Sequence, residues 1–243
     1  MSRTVDLMCL HGWGLNRAVW QRGPGEDAGH YPDLPGHGHD GRVPEPVLDA
    51  WVEAVLDTAP PAAVWLGWSF GGLLALAAAR RHPERVRGLI LVATTPRFVA
   101  TPGWEGVDLS VWDAFAQALT QEYASTLQRF LVLQAGFADR AAVRALQQAV
   151  VLHGAPRPEA LRSALAVMAA TDLREQLAAR GLPVLLIHGG RDRIVPRAAM
   201  EWLQKALAAR TAWFENAGHA PFLSESAAFW ALVNTFTQAQ LCR

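Results

Sequence analysis

Gly67-Trp68-Ser69-Phe70-Gly71 is the most informative part of the sequence, because a strand-like run precedes it and a helix-like run follows it. Residues 62–66 are apolar and predict a buried strand, whereas residues 72–80 consist of strong helix formers. A G-x-S-x-G sequence between a strand and a helix is typical of a nucleophile elbow, in which glycines admit a tight turn and the serine oxygen stands clear of the sheet. A glycine-rich turn without catalytic function is the alternative.

The composition is that of an ordinary globular protein. The chain has 243 residues, is 51% hydrophobic and carries 22 basic and 22 acidic residues, so no overall charge points to nucleic acid. Its two cysteines, Cys9 and Cys242, lie at opposite ends without metal-type spacing, which favours a reducing compartment. We find no signal-peptide pattern and no apolar run of about 18 residues. These features predict a cytoplasmic protein that binds neither nucleic acid nor membrane, and nothing demands more than a monomer.

Strand-like runs separated by helix-like segments predict an α/β fold with a mostly parallel sheet and helices on both faces. The runs lie at residues 5–10, 62–66, 88–93, 183–188 and 211–215. The alternation stops between residues 94 and 182, where we expect helices from Asp108 to about Leu119, over 120–134, from Asp139 to about Leu152, from Pro158 to about Ala170, and a short one from Thr171 to Gly181. The predicted domains are a core of residues 1–95 and 183–243 and an inserted helical cap of residues 96–182. A second subdomain without a role in binding is the alternative.

A serine nucleophile needs a histidine base and a carboxylate that orients it, in the chain order Ser, acid, His. His219 follows the last strand-like run directly, whereas six other histidines are assigned to turns, loops or a helix end: His11, His30, His37, His39, His82 and His153. Asp192 follows the fourth strand-like run by four residues, although an Asx turn would also explain it. The predicted triad is therefore Ser69, Asp192 and His219.

The tetrahedral intermediate of such a reaction needs backbone N–H donors for its oxyanion. One donor comes from the residue after the nucleophile, here Phe70, and the other from the loop after the early strand, where Trp13 is the candidate. No P-loop, dinucleotide motif or zinc cluster is present in the sequence, so we expect neither a cofactor nor a metal.

With these residues in view, the chain resembles the α/β-hydrolase superfamily and, within it, the pimeloyl-[acyl-carrier protein] methyl ester esterases of biotin synthesis. The resemblance covers nearly the whole chain and rests on residues 10–16 (LHGWGLN), 33–38 (DLPGHG), 66–73 (LGWSFGGL), 82–86 (HPERV), 129–134 (RFLVLQ), 171–174 (TDLR) and 218–222 (GHAPF). It implies hydrolysis of the methyl ester of a carrier-bound pimeloyl chain, with release of methanol. The implied substrate-binding residues are Trp13, Ser69, Phe70, Phe130, Leu131, Val132, Leu133, Gln134 and His219. The five from Phe130 to Gln134 could instead pack the cap onto the sheet.

Because carrier proteins are acidic, a docking face should be basic. Arg140 and Arg144 are four residues apart on one predicted helix and therefore share a face. The resemblance implies that the docking arginines are these two and Arg129. Arg157 or Arg162 could extend the basic patch. Ordinary solvated arginines are the alternative.

Three departures from the family pattern stand out. The glycine loop comes as early as residue 11, so the opening strands of the sheet look absent or truncated. Gln21–Pro32 is short and glycine-rich, which disfavours a helix there, and Ser125 stands where the family can carry a basic residue. The competing functions are hydrolysis of a free small ester or a C–C bond, and a non-catalytic binding protein of the same fold.

Overall fold

A single parallel sheet forms the centre of the molecule. The computed structural model describes residues 6–20, 29–136, 139–177 and 181–240. Within them the strands are β1 (Leu7–Leu10), β2 (Ala63–Trp68), β3 (Val86–Val92), β4 (Val184–Gly189) and β5 (Arg210–Phe214), and their order in the sheet is their order in the chain. Beyond β1, His30 forms a parallel bridge with Met8, so the sheet edge continues there. The α/β prediction is confirmed, with strand ends displaced by one or two residues.

Alternate side chains of each strand enter two separate cores. Met8, Trp65 and Leu186 belong to one, and Cys9, Leu66 and Ile187 belong to the other, as the period of two in a strand requires. The helices α1 (Leu48–Leu56), α2 (Phe70–Arg81) and α7 (Arg197–Leu207) cover the first face, and α9 (Ser226–Ala239) covers the second. Shorter helical turns lie at Arg17–Trp20, Pro83–Arg85 and Pro221–Ser224 (α8).

Four helices separate β3 from β4 along the chain, in the segment predicted as the cap. They are α3 (Leu109–Gln121), α4 (Tyr123–Ala135), α5 (Arg140–His153) and α6 (Pro158–Ala170). Asp139 caps α5 by accepting a hydrogen bond from the Ala142 N–H at 2.9 Å, as predicted. Asp108 occupies the N-cap position of α3, but its side chain accepts no such bond. The division into core and cap stays a prediction.

The predicted short helix from Thr171 to Gly181 is wrong. Thr171 ends α6 in an extended conformation, and its hydroxyl donates backwards to the Val167 carbonyl at 2.6 Å. Among the described residues of this segment, only Arg174–Gln176 forms a helical turn, and Asp172 accepts the Arg174 N–H in a local turn. Residues 178–180 lie outside the described chain, as do 21–28, which hold most of the segment predicted to lack a helix. None of the helices in the described part is both long and apolar enough to span a membrane.

Candidate active site

Ser69 stands at the sharp turn between β2 and α2, with φ 54° and ψ −117°. Such a conformation is strained for any residue except glycine and occurs most often at functional sites. The turn requires its glycines, since a Cβ on Gly71 would lie 2.5 Å from the Leu10 carbonyl oxygen. The Ser69 N–H donates to the Val92 carbonyl at 2.9 Å, and its own carbonyl accepts the Thr94 hydroxyl at 2.7 Å. The backbone of the elbow is therefore fixed from both sides.

Asp192 and His219 form a buried hydrogen-bonded pair. Asp192 Oδ2 lies 2.7 Å from His219 Nδ1, and both side chains are fully buried. The second carboxylate oxygen accepts the N–H groups of Ile194 at 2.8 Å and Val195 at 3.1 Å. The Asx turn foreseen as an alternative is thus present together with the histidine contact. The turn orients the carboxylate that holds the imidazole.

The carboxylate of this pair is held ionised. Burial by itself would raise the pKa of Asp192, but the charge and hydrogen bond of His219, the nearby His188 and the Ile194 N–H together lower it below its ordinary value. An ionised Asp192 accepts a hydrogen bond from the Nδ1–H group of His219, which keeps the proton on Nδ1. This leaves Nε2 as the nitrogen that can take a proton from a nucleophile.

Close backbone approach brings the loops after β4 and β5 together. A Cβ on Gly189 would lie 1.9 Å from the Gly218 carbonyl oxygen, and the Arg191 N–H donates to the Ala217 carbonyl at 2.9 Å. On the other side, the Trp68 indole N–H donates to the His219 carbonyl at 2.8 Å. His219 is therefore anchored to the residue directly before Ser69.

One contact of the predicted triad is not formed. His219 Nε2 is buried and has no hydrogen-bond partner among the described residues, and the Ser69 hydroxyl makes no hydrogen bond with it. The hydrogen bond between a nucleophile and its base often closes only when the substrate is bound. The structure joins Asp192 to His219, whereas the role of Ser69 as their partner stays a prediction.

The two predicted oxyanion donors lie at the ends of well-held backbone segments. Phe70 is the first residue of α2, where a helix leaves its N–H groups unpaired, and its ring is buried against Trp51 with centroids 5.2 Å apart. No described residue accepts a hydrogen bond from the N–H of Phe70 or of Trp13. Both donors are therefore available to a ligand, while the Phe70 side chain is part of the core.

Two neutral histidines hold the loop that carries Trp13. His11 Nε2 accepts the Leu34 N–H at 2.9 Å, and His37 Nε2 accepts the Gly14 N–H at 3.3 Å, while each Nδ1 faces a backbone carbonyl. Burial lowers the pKa of His11 to about 4 and that of His37 to about 3. Both rings therefore stay neutral, as acceptance at Nε2 requires, and the expectation that His11 shapes this loop agrees with these contacts.

An apolar cavity of about 380 Å³ opens beside Ser69. Trp13, Phe115 and Phe130 form an aromatic cluster in its wall, with ring centroids 5.0 to 5.5 Å apart. Most other wall residues come from α3, α4 and α6. The exposed Arg129 and Arg193 also border the cavity. It can hold an alkyl chain with few polar contacts.

Only part of the predicted substrate-binding stretch borders this cavity. On α4 the cavity is bordered by Thr126, Arg129, Phe130 and Leu133, which is the spacing of one helical face. Leu131, Val132 and Gln134 fall on other faces; Leu131 is fully buried in the second core. Five consecutive helical residues cannot all face one cavity, and the role of these three in binding stays a prediction.

His188 is a member of the site that the sequence analysis did not single out. Its Nε2 lies 3.2 Å from the Val195 carbonyl and 3.7 Å from Asp192 Oδ2, and burial lowers its pKa. Its position at the end of β4, directly before Gly189, could have indicated a role in the site, because side chains at this strand end lie near the loop that carries Asp192.

The predicted docking arginines are all exposed. Arg129 pairs with Glu122 at 3.3 Å, whereas Arg140 and Arg144 form no ion pair with any other described residue. A larger cavity of about 500 Å³ lies at the opposite sheet edge, where β4 begins, and borders none of the predicted site residues. Within the described part of the chain, no cluster of His, Cys, Asp and Glu is arranged to hold a metal ion.

Comparisons with known proteins agree with this geometry. Residues 7–232 match the alpha/beta hydrolase family. The pimeloyl-[acyl-carrier protein] methyl ester esterase of Klebsiella pneumoniae (strain 342) is 41% identical over 230 residues, which are 92% of this chain and 90% of that protein. The protein of that name from Aliivibrio salmonicida is 37% identical over 242 residues, 97% and 93% of the two chains.

Solved structures share the fold at low sequence identity. The esterase EaEST from Exiguobacterium antarcticum superposes with a TM-score of 0.85 at 22% identity, over 98% of this chain and 93% of its own. The enol-lactonase from Burkholderia xenovorans LB400 gives a TM-score of 0.79 at 23% identity, over 98% and 92%. The predicted resemblance is confirmed, and the chain belongs to the alpha/beta hydrolase family, in which it is similar to proteins named pimeloyl-[acyl-carrier protein] methyl ester esterase.

Proposed function

We propose that the chain is a serine carboxylesterase that hydrolyses the methyl ester of a pimeloyl chain carried by an acyl-carrier protein. The observation that carries the proposal is the buried 2.7 Å pair of Asp192 and His219, anchored beside a strained Ser69 that borders an apolar cavity. The names of the relatives supply the substrate.

The proposed chemistry has two halves. Ser69 Oγ attacks the ester carbonyl carbon while His219 Nε2 takes the hydroxyl proton, and the N–H groups of Trp13 and Phe70 stabilise the resulting oxyanion. The C–O bond to the methoxy group then breaks, and the proton on His219 leaves with methanol. A water molecule next attacks the acyl-enzyme with His219 as base. This step frees the carboxylate and restores the Ser69 hydroxyl.

The cavity supports an apolar acyl chain as the bound group. Its wall is built largely from the segment predicted as a cap, residues 96–182, which we propose encloses the chain next to the nucleophile. The aromatic cluster of Trp13, Phe115 and Phe130 offers a broad apolar contact, and few polar groups compete for it.

The direct test compares the hydrolysis of carrier-linked methyl pimeloyl ester and of the free ester 4-nitrophenyl acetate. We expect turnover of the carrier-linked ester with release of methanol, and loss of activity on both esters in Ser69→Ala. Ser125→Ala, an exposed serine on α4, is the control and should keep full activity. Turnover of the free ester alone would favour the small-ester alternative, and absence of labelling by a fluorophosphonate would favour the non-catalytic binder.

For the carrier we propose a docking face made of Arg129, Arg140 and Arg144. Arg129 borders the cavity mouth, and its helix packs beside the helix of the other two, with Gln147 bonded to Gln128 across them at 3.0 Å. Because Arg140 and Arg144 have no acidic partner among the described residues, they are free to meet acidic groups of a carrier.

The docking test is the double variant Arg140→Glu/Arg144→Glu. At low salt we expect kcat/KM for the carrier-linked ester to fall about 10-fold or more, with no change on 4-nitrophenyl acetate, and the difference should shrink at high salt. Arg210→Glu, an exposed reversal at the start of β5, is the matched control because strand starts lie at the sheet edge away from the site. Equal losses in both variants, or none in either, would contradict the proposed face.

A further inference from the structure

Asn16 is a fully buried polar side chain that the proposed chemistry does not use. Its amide Nδ2 donates to the Ala149 carbonyl at 2.9 Å and to the Gly154 carbonyl at 3.2 Å, at the carboxyl end of α5. Its Oδ1 accepts the Ala18 N–H at 3.0 Å, within its own loop. One side chain thus joins the loop after β1 to a helix more than 130 residues away.

A second side chain of the same loop makes a similar contact. The Trp13 indole N–H donates to the Leu161 carbonyl on α6 at 3.0 Å. The loop from His11 to Asn16 is therefore hydrogen-bonded at two points to α5 and α6, and neither bond involves the Trp13 backbone N–H.

Three backbone N–H groups in and directly after this loop are also held. The Gly14 N–H is taken by His37, the Arg17 N–H by Asp33 at 2.8 Å, and the Ala18 N–H by Asn16 itself. The Trp13 N–H has no acceptor among the described residues. The Trp13 N–H therefore lies between amides that are held in place, and Asn16 is three residues from it.

We propose that Asn16 is a positioning residue that fixes the Trp13 N–H by tying the oxyanion loop to α5, so that the position of the cap sets the geometry of the oxyanion site. The inference rests on the proposed esterase function. An oxyanion donor acts only at about 2.7–3.1 Å from the developing charge, and a displacement of about 1 Å can cost about 100-fold in rate. Loss of the Asn16 bonds would let the loop move relative to α5 by such an amount.

The test is the pair Asn16→Ala and Asn16→Ser, assayed on 4-nitrophenyl acetate, whose acetyl group is too short to depend on the cavity wall. We expect kcat of Asn16→Ala to fall about 10- to 100-fold with KM changed by less than about 3-fold, because the oxyanion forms only after binding. Serine keeps one donor and should give an intermediate kcat. The shape of the pH profile should stay unchanged, since Asp192 and His219 are untouched. Asn16→Ser serves alone if Asn16→Ala does not fold.

Asp139→Ala is the matched control, because it removes the N-cap hydrogen bond at the other end of α5 and leaves the loop after β1 untouched. It should lower Tm and leave kcat on this ester unchanged. If the Asn16 variants lose Tm but keep kcat within about 2-fold at temperatures well below Tm, Asn16 is merely structural and the inference is overturned. A rise in KM with unchanged kcat would overturn it too. A wild-type chain inactive on every ester would instead refute the proposed function, and the inference with it.

Discussion

Replacing Asp192 by Asn tests the orientation of the base while keeping the loop intact. The Asn Oδ1 can still accept the N–H groups of Ile194 and Val195, so the Asx turn persists. The amide NH₂ then faces His219 Nδ1, which in wild type lies 2.7 Å from the carboxylate. An amide can only donate there, so Nδ1 becomes the acceptor and the proton moves to Nε2. A protonated Nε2 cannot take the Ser69 proton.

We expect kcat to fall about 10³- to 10⁴-fold, or about 4 to 5.5 kcal/mol of transition-state stabilisation at about 1.4 kcal/mol per decade. Stability should fall by about 1–3 kcal/mol, because the protonated Nε2 of His219 becomes a buried donor with no partner among the described residues. The assay is hydrolysis of 4-nitrophenyl acetate near neutral pH, with Tm measured in parallel. Asp172→Asn is the control: Asp172 pairs with Arg97 and Arg174 and does not border the cavity. A kcat within about 10-fold of wild type would refute the view that Asp192 sets the tautomer of the base.

Three further changes probe the scaffold of the site. The pKa values of His11 and His37 in the folded chain lie below the ordinary 6.5, so the unfolded chain binds more protons in acid. From pH 7 to pH 5 we therefore expect the free energy of unfolding, measured with urea, to fall by about 2 kcal/mol for each histidine. A free energy of unfolding that stays constant over this range would show that the two rings are not buried in the neutral form. His188→Phe should lower the free energy of unfolding by about 1–3 kcal/mol and also lower kcat, because it leaves the buried Val195 carbonyl without its partner. His188→Gln can still donate to this carbonyl and should restore most of the stability and most of kcat. Gly71→Ala should destabilise by more than about 2 kcal/mol or prevent soluble expression, whereas Gly41→Ala, whose Cβ would meet nothing closer than 3.6 Å, should be nearly neutral; equal effects of the two would contradict the close-approach argument.

The fold could be predicted from the sequence because its strongest signals are local. The elbow glycines and the apolar runs around them locate β2 and α2, and Asp139 and Pro158 mark helix starts that the structure confirms. Thr171 misled the prediction, because a threonine hydroxyl can bond backwards to a finished helix as well as open a new one.

The site was less completely predictable, because several of its contacts join distant residues. Asp192 and His219 each follow a predicted strand, and this was enough to predict that they lie close together. Nothing in the sequence shows that Asn16 meets a helix end 133 residues later, or that His188 turns toward the acid loop. Which residues of α4 border the cavity also depends on the rotation of that helix on the sheet. A motif gives the residue types, and the packing decides which of them face the substrate.

The strand order sets a distance that the histidine loop must bridge. Ser69 follows β2 and His219 follows β5, three strands away, which is about 14 Å at the usual spacing of neighbouring strands. A side chain at the end of β5 cannot reach a serine at the end of β2 unless its loop turns back over β4 and β3. The contact of Gly189 with Gly218 allows the loop to lie flat across β4, and the Trp68 indole holds it at the far side. Trp68 therefore anchors His219 to the turn that carries Ser69, so this turn holds both members of the proposed nucleophile–base pair.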